Sequence, residues 1–216
     1  MIDLQTITTD EDIAIRVPSE YELLVPSDQL LATGEDGSIR PEDPRLFDSV
    51  TTDFRSAGVS RGCVVWLKYL DESQGYSQEP YAVENVTGYT LQLRRRGGSV
   101  GVGQPPRSFT NSSRVAFNIP TLAPQIRRAR DEVFARLNYA GKPESQAIEN
   151  GAALQALLRS TMVALVLFHR FSDLCAKAEA QDGNSLSSKA EFFRREFEDY
   201  LSLSMRQLRN ESQAAT

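Results

Sequence analysis

The sequence predicts an α+β protein: a small N-terminal antiparallel β-barrel or sandwich, followed by a helical domain with a long α-helical hairpin. Three observations predict it. Between Asp12 and Asn118, short β-like segments alternate with turn residues. After Pro120 the spacing of apolar residues becomes helical. Met162 to Phe168 is an unbroken apolar run closed by Arg159 and Arg170. The implied division is an acidic, β-rich domain over 1–119 and a helical domain over 120–216 that ends in a flexible C-terminal tail.

Taken in order, DIAIRVP alternates Ile13, Ile15 and Val17 with polar or small neighbours and reads as a strand ended by Pro18. Val25 to Pro44 is acidic and loop-rich. A turn at Ser60-Arg61-Gly62 leads into Cys63–Leu70, whose Val64, Val65, Trp66 and Tyr69 favour a strand. After the polar DESQGYSQ, PYAVENV and TLQLRRR form a hairpin around Thr87-Gly88. Leu91 and Leu93 alternate with Thr90, Gln92 and Arg94, which predicts one buried and one wet face. Gly97 to Pro106 reads as a flexible connector, and SRVAFNIP as a last short strand. Strands this short and closely joined favour a small barrel, SH3-like or OB-like.

The first helix, TLAPQIRRARDEVFARL, has Pro124 in its first turn and Ile126, Ala129, Val133 and Leu137 along one face. NYAGKPES breaks it. A second helix runs from about Ser145 to Ala180; QDGNSLSS then reads as a loop in which Asp182-Gly183 stops the helix. A third starts at Ser187 or Ser188 and repeats Phe193, Phe197, Tyr200 and Leu208 at helical spacing. The run Met162–Phe168 is too short to cross a membrane, which takes about 20 apolar residues. It is nevertheless apolar on all sides, so both its faces need cover.

Composition excludes several functions. The chain of 216 residues carries a net charge of −5, which opposes wrapping nucleic acid by broad phosphate neutralisation. It does not oppose a protein that DNA slides past. The acidity is concentrated: Met1–Asp53 holds thirteen acidic and three basic residues, while Ile119–Thr216 holds twelve and thirteen. Two cysteines, Cys63 and Cys175, make neither a disulfide scaffold nor a metal site and read as free buried thiols. The N-terminus lacks a basic n-region and a long apolar core, so no secretory signal is expected and the chain reads as soluble and cytoplasmic.

Chemistry-bearing motifs are sparse. His169, the one histidine, lies between Phe168 and Arg170 without a nucleophile motif and reads as a packed or interfacial residue. Gly101-Val102-Gly103 lacks the Lys-Ser/Thr ending of a phosphate-binding loop. Arg94-Arg95-Arg96 reads as a solvated strand end. The expectation is a protein that is not an enzyme and has no cofactor or metal.

FDSVTTDFRSAGVSRGCVVWLKYL followed by PYAVENVTGYTLQLRRRG resembles a β-domain recurrent in structural proteins of tailed bacteriophages. Asp53, Phe54, Ala57, Gly58, Val59 and Gly62 match its pattern, with Cys63 where an Asp is usual. The helical half is similar to the core of head–tail adaptor proteins, also called head completion or connector proteins. That resemblance implies a closed, dodecameric ring beneath the portal protein in the virion neck, made in the host cytoplasm. The ring would prolong the channel for double-stranded DNA, read no base sequence, and dock a tail or stopper protein.

In such a ring Met162, Leu165, Val166, Phe168, His169 and Phe171 would form the subunit interface. Leu203, Arg206, Leu208 and Arg209 would dock on the portal. Two alternatives stand beside this one: a tail-completion or baseplate component with the same β-domain, and a monomeric ligand-binding barrel using Trp66, Tyr69, Tyr76 and Tyr81.

Overall fold

A computed structural model describes residues 7–71, 75–95, 114–137, 151–178 and 180–214, with backbone alone at 69–71, 75–79, 180–182 and 211–214. Gly97–Pro106, the helix start at Ser145 and the Tyr69 and Tyr76 side chains lie outside the described residues. The chain forms two compact units, Asp10–Leu122 and Ala123–Thr216, the latter joined by the start of the chain through Thr9.

The first unit is a closed barrel. Its strands are β1 (Leu30–Ile39), β2 (Leu46–Ser49), β3 (Val64–Asp71), β4 (Gly75–Thr87), β5 (Thr90–Arg95) and β6 (Val115–Pro120). They are ordered β1-β2-β5-β4-β3-β6, with β6 returning to β1, and every pairing is antiparallel. Each strand thus has a partner on both sides along part of its length, while Tyr69–Asp71 of β3 and Gly75–Pro80 of β4 pair only with each other among the described residues.

The hairpin of β4 and β5 turns through Gly88-Tyr89, where Gly88 has φ +56°, a conformation side-chain-bearing residues rarely adopt. Leu91 and Leu93 are fully buried, as their alternation predicts. Phe47, Phe54 and Phe117 fill the interior, with ring centroids 5.4–6.1 Å apart in tilted and edge-on contacts. Burying an aromatic ring this completely stabilises the fold by about 1.5–3 kcal/mol.

β1 passes close over these rings. A Cβ on Gly34 would stand 2.6 Å from Cε1 of Phe117, and one on Gly37 would meet the Phe47 ring and lie 2.6 Å from the Val115 carbonyl oxygen. Glycine therefore lets β1 close the barrel here.

Two segments depart from the sequence expectation. The acidic stretch read as loop contains β1, which finds its partners in β2 and β6, the latter some 80 residues away. DIAIRVP is not a strand: Asp10–Arg16 is a helix, α1, followed by a single turn, α2 (Tyr21–Leu24). Ile13, Ala14 and Val17 are buried and Ile15 is 49% exposed, a helical rather than alternating set. Asp10, Glu11 and Asp12 in the first turn suit the positive end of a helix.

The second unit is built on α3 (Ala123–Arg136), α4 (Ala152–Lys177) and α5 (Ala180–Ala214). On α3, Ala129 and Val133 are buried as expected, with Leu137 just past its end. α4 and α5 pack along their lengths. Phe171 stacks on Phe193 with centroids 5.6 Å apart, the Cys175 thiol donates to the Gly183 carbonyl at 3.5 Å, and the Thr161 and Ser204 hydroxyls lie 3.4 Å apart. Positions rise along α5 as they fall along α4, so the two helices run antiparallel. The buried stripe of α5, namely Ala190, Phe193, Phe197, Leu201 and Ser204, repeats at three- and four-residue steps.

The third helix thus starts at Ala180, seven or eight residues before Ser187 or Ser188. Ser188 is interior to it, its hydroxyl donating to the Asn184 carbonyl at 2.9 Å. Gly183 lies in the helix and a Cβ there would meet nothing within 4 Å, so the stop signal is overridden. The tail expected to be flexible, Leu203 to Thr216, is helical through Ala214, forming the last three turns of α5.

α4 is 26 residues long, and by length and composition its apolar window is enough to cross a membrane. The expectation that length excludes this applies to the unbroken run and not to the whole helix. Half of the window is buried inside the protein.

Candidate functional site

The apolar run Met162–Phe168 finds most of its cover within one chain. Met162, Leu165, Val166 and Phe171, expected at a subunit interface, are buried in the single chain. α5 packs along α4, α3 packs on it too, and the Arg159 guanidinium donates from Nε to the Ile7 carbonyl at 2.8 Å. Those four side chains are core, with no surface left for a neighbour. Phe168 and His169 differ: both are half-buried and reach a surface pocket.

The pocket holds about 360 Å³ between α3 and α4. Pro124, Gln125 and Arg128 line it from the first turns of α3; Phe168, His169, Arg170, Ser172 and Asp173 line it from α4. Helical spacing explains the set, since residues three and four apart share a face. Arg170 is buried and its Nη1 donates to Asp173 Oδ2 at 2.8 Å, so these charges offset one another. The His169 side chain is 28% exposed, with Nε2 3.8 Å from Glu132 Oε2. Burial first, and then the Arg128 and Arg136 cations, outweigh Glu132 and Asp173 and hold the imidazole below its ordinary pKa, so it is neutral at pH 7. Gln125 Oε1 is buried and has no hydrogen-bond partner among the described residues.

The expected docking residues lie elsewhere, near the end of α5. Leu203 is 44% exposed, Arg206 and Arg209 are exposed, and Leu208 is half-buried. Further back on α5, Phe192 is 53% exposed. Phe192 and Leu203 are eleven residues apart, about three helical turns, so they project from one face. The stripe that packs on α4 faces elsewhere.

Other candidates resolve into structure. Cys63 is buried, and burial, reinforced by Asp10, pushes its thiol up to about 11, which disfavours the nucleophilic thiolate. Cys63 and Cys175 are both free. Arg94 is not a solvated strand end: it is buried, and Nη2 donates to Glu11 Oε2 at 2.5 Å. Tyr81 belongs to the packed barrel core, so it is no ligand contact. Among the described residues, no three His, Cys, Asp or Glu side chains are grouped to hold a metal ion.

Sequence reasoning found Phe168 and His169 but missed Gln125, Arg128 and Ser172. The i, i+3 and i+4 spacings on α3 and α4 were the available signal; nothing in the sequence says which two helix faces meet.

Fold and site together define an α+β protein with a closed six-stranded antiparallel barrel, a helical unit, and a polar pocket between two of its helices. Comparison with protein-family models, curated proteins and solved structures finds no match.

Proposed function

We propose that the chain is a structural protein of the tailed-phage neck, a head–tail adaptor that assembles as a ring beneath the portal. The ring extends the DNA channel without reading sequence and gives the tail or stopper protein its docking surface. The observation that carries this reading is the outward apolar face of α5. Phe192 and Leu203 are exposed on it, while Phe193, Phe197 and Leu201 are already committed to the core. The barrel closes strand to strand, and α5 presents large apolar side chains to a neighbour beside Arg206 and Arg209.

A repeating head-to-tail contact that closes is what a cyclic ring requires. The resemblance of Asp53–Gly62 and the strands after it to the phage β-domain supports the same reading. It needs no catalytic group, cofactor or metal.

Light scattering on the purified protein, alone and with added portal protein, tests the proposal. A 24.0 kDa monomer that becomes a large closed assembly with portal supports it. A monomer indifferent to portal removes it.

A further inference from the structure

We infer that the pocket between α3 and α4 is a binding site for a single carboxylate group. Two side chains that line it, Arg128 and Ser172, are donors that make no hydrogen bond or ion pair among the described residues. The buried Gln125 oxygen is an acceptor and takes no part in holding a carboxylate. The other charges in the wall are occupied: Asp173 with Arg170, and neighbouring Glu132 with Arg136, whose Nη2 donates to it at 2.7 Å.

With His169 neutral, two guanidiniums less one carboxylate leave a lining charge of +1. This matches a monoanion better than a doubly charged phosphate. A guanidinium presents a planar fork that fits the two oxygens of a carboxylate, and the Ser172 hydroxyl supplies a further donor. Pro124 and Phe168 add apolar wall for the carbon atoms attached to it. At about 360 Å³ the space suits a small ligand or one side chain.

Two sources supply this chemistry: a free small carboxylate, or an acidic side chain of a second copy of the chain. The second has a ready donor, since Met1–Asp53 carries thirteen acidic residues against three basic. The inference goes beyond the adaptor proposal and stands without it, because its test involves no portal protein.

His169 is the one histidine of the chain and lines the pocket, so its imidazole proton–carbon NMR signal reports on the site without assignment work. Full-length protein is titrated with sodium butyrate, with sodium chloride at matched ionic strength as control. The expected result is a saturable shift with butyrate that chloride does not reproduce. It weakens about tenfold or more in Arg128→Gln, the loss expected for one charge-assisted hydrogen bond, and is largely kept in Arg128→Lys. Arg128 is exposed on α3, so both variants should keep the parent melting temperature.

A dilution series without butyrate separates the sources. A concentration-dependent shift that Arg128→Gln abolishes assigns the carboxylate to a second copy; butyrate binding without it assigns a free small carboxylate. Absence of a saturable shift, an equal shift with chloride, or unchanged butyrate binding in Arg128→Gln overturns the inference.

Discussion

The Asp10 carboxylate accepts a hydrogen bond from the backbone N–H of Leu122 at 2.6 Å, joining the first and last residues of the barrel unit. Its other oxygen accepts from the Thr121 hydroxyl at 2.8 Å. One buried side chain thus holds together two chain positions 112 residues apart. Replacing it by Ala leaves the Leu122 N–H buried without its acceptor, an omission that costs about 1–3 kcal/mol. Asp10→Ala should lower the urea midpoint accordingly with an unchanged slope; no change would mean that water replaces the carboxylate.

The same residue makes stability depend on pH. Burial raises the Asp10 carboxyl from 3.8 to about 6 despite the hydrogen bonds that oppose the shift. Between those values the folded state holds a proton that the unfolded state has released. The contribution of Asp10 therefore falls as pH rises from about 4 to about 6 and is level above that window. Denaturant titrations in that range should show this slope in the parent protein and its loss in Asp10→Asn.

Arg94 and Glu11 form a buried ion pair between β5 and α1. Removing one partner strands the other charge away from water, so Arg94→Met should cost about 3–5 kcal/mol. The double variant Arg94→Met, Glu11→Leu should regain most of that loss, because no charge stays buried. Thermal unfolding of the three variants checks it; a double variant as unstable as the sum of the singles would contradict the explanation.

Two glycines should respond with opposite sign. Gly34→Ala drives a methyl into the Phe117 ring and should destabilise by about 1–3 kcal/mol. Gly183→Ala meets open space within α5 and should stabilise by about 0.5–1 kcal/mol. Melting temperatures read both.

Core and assembly roles on the helices also separate. Leu165→Ala empties a buried position of α4 and should cost about 2–5 kcal/mol. Phe192→Ala should change monomer stability by about 0.5 kcal/mol or less, yet diminish the portal-dependent assembly measured by light scattering. An equal loss of stability in both would place Phe192 in the fold rather than in an interface.

Some elements could be read directly. β3, β5 and β6 appear where valines, leucines and alternation put them, and the Gly88 turn is written in its glycine. α1 could not: over five residues, Ile13, Ile15, Val17 and Ile13, Ala14, Val17 are equally good apolar sets, one for each period. β1 was hidden because Gly34 and Gly37, which read as turn residues, are there to admit aromatic rings from other strands. At Gly183 the stop signal yields because α5 gains the packing of Phe193, Phe197 and Leu201 by continuing the same helix. The pocket showed only Phe168 and His169, since Arg128 and Gln125 come from a helix that meets α4 by packing alone.

By itself the sequence determined the α+β class, the change of period after Pro120, the β4–β5 hairpin and the need to cover the apolar run in α4. These are consequences of local spacing, which a chain carries wherever it goes. Only the tertiary structure decided that six strands close into a barrel, that the Met162–Leu167 run is buried within its own chain, and that unsatisfied groups of α3 and α4 share one pocket. Those outcomes depend on which distant surfaces meet, and burial of apolar area rewards such meetings without specifying them in any local pattern.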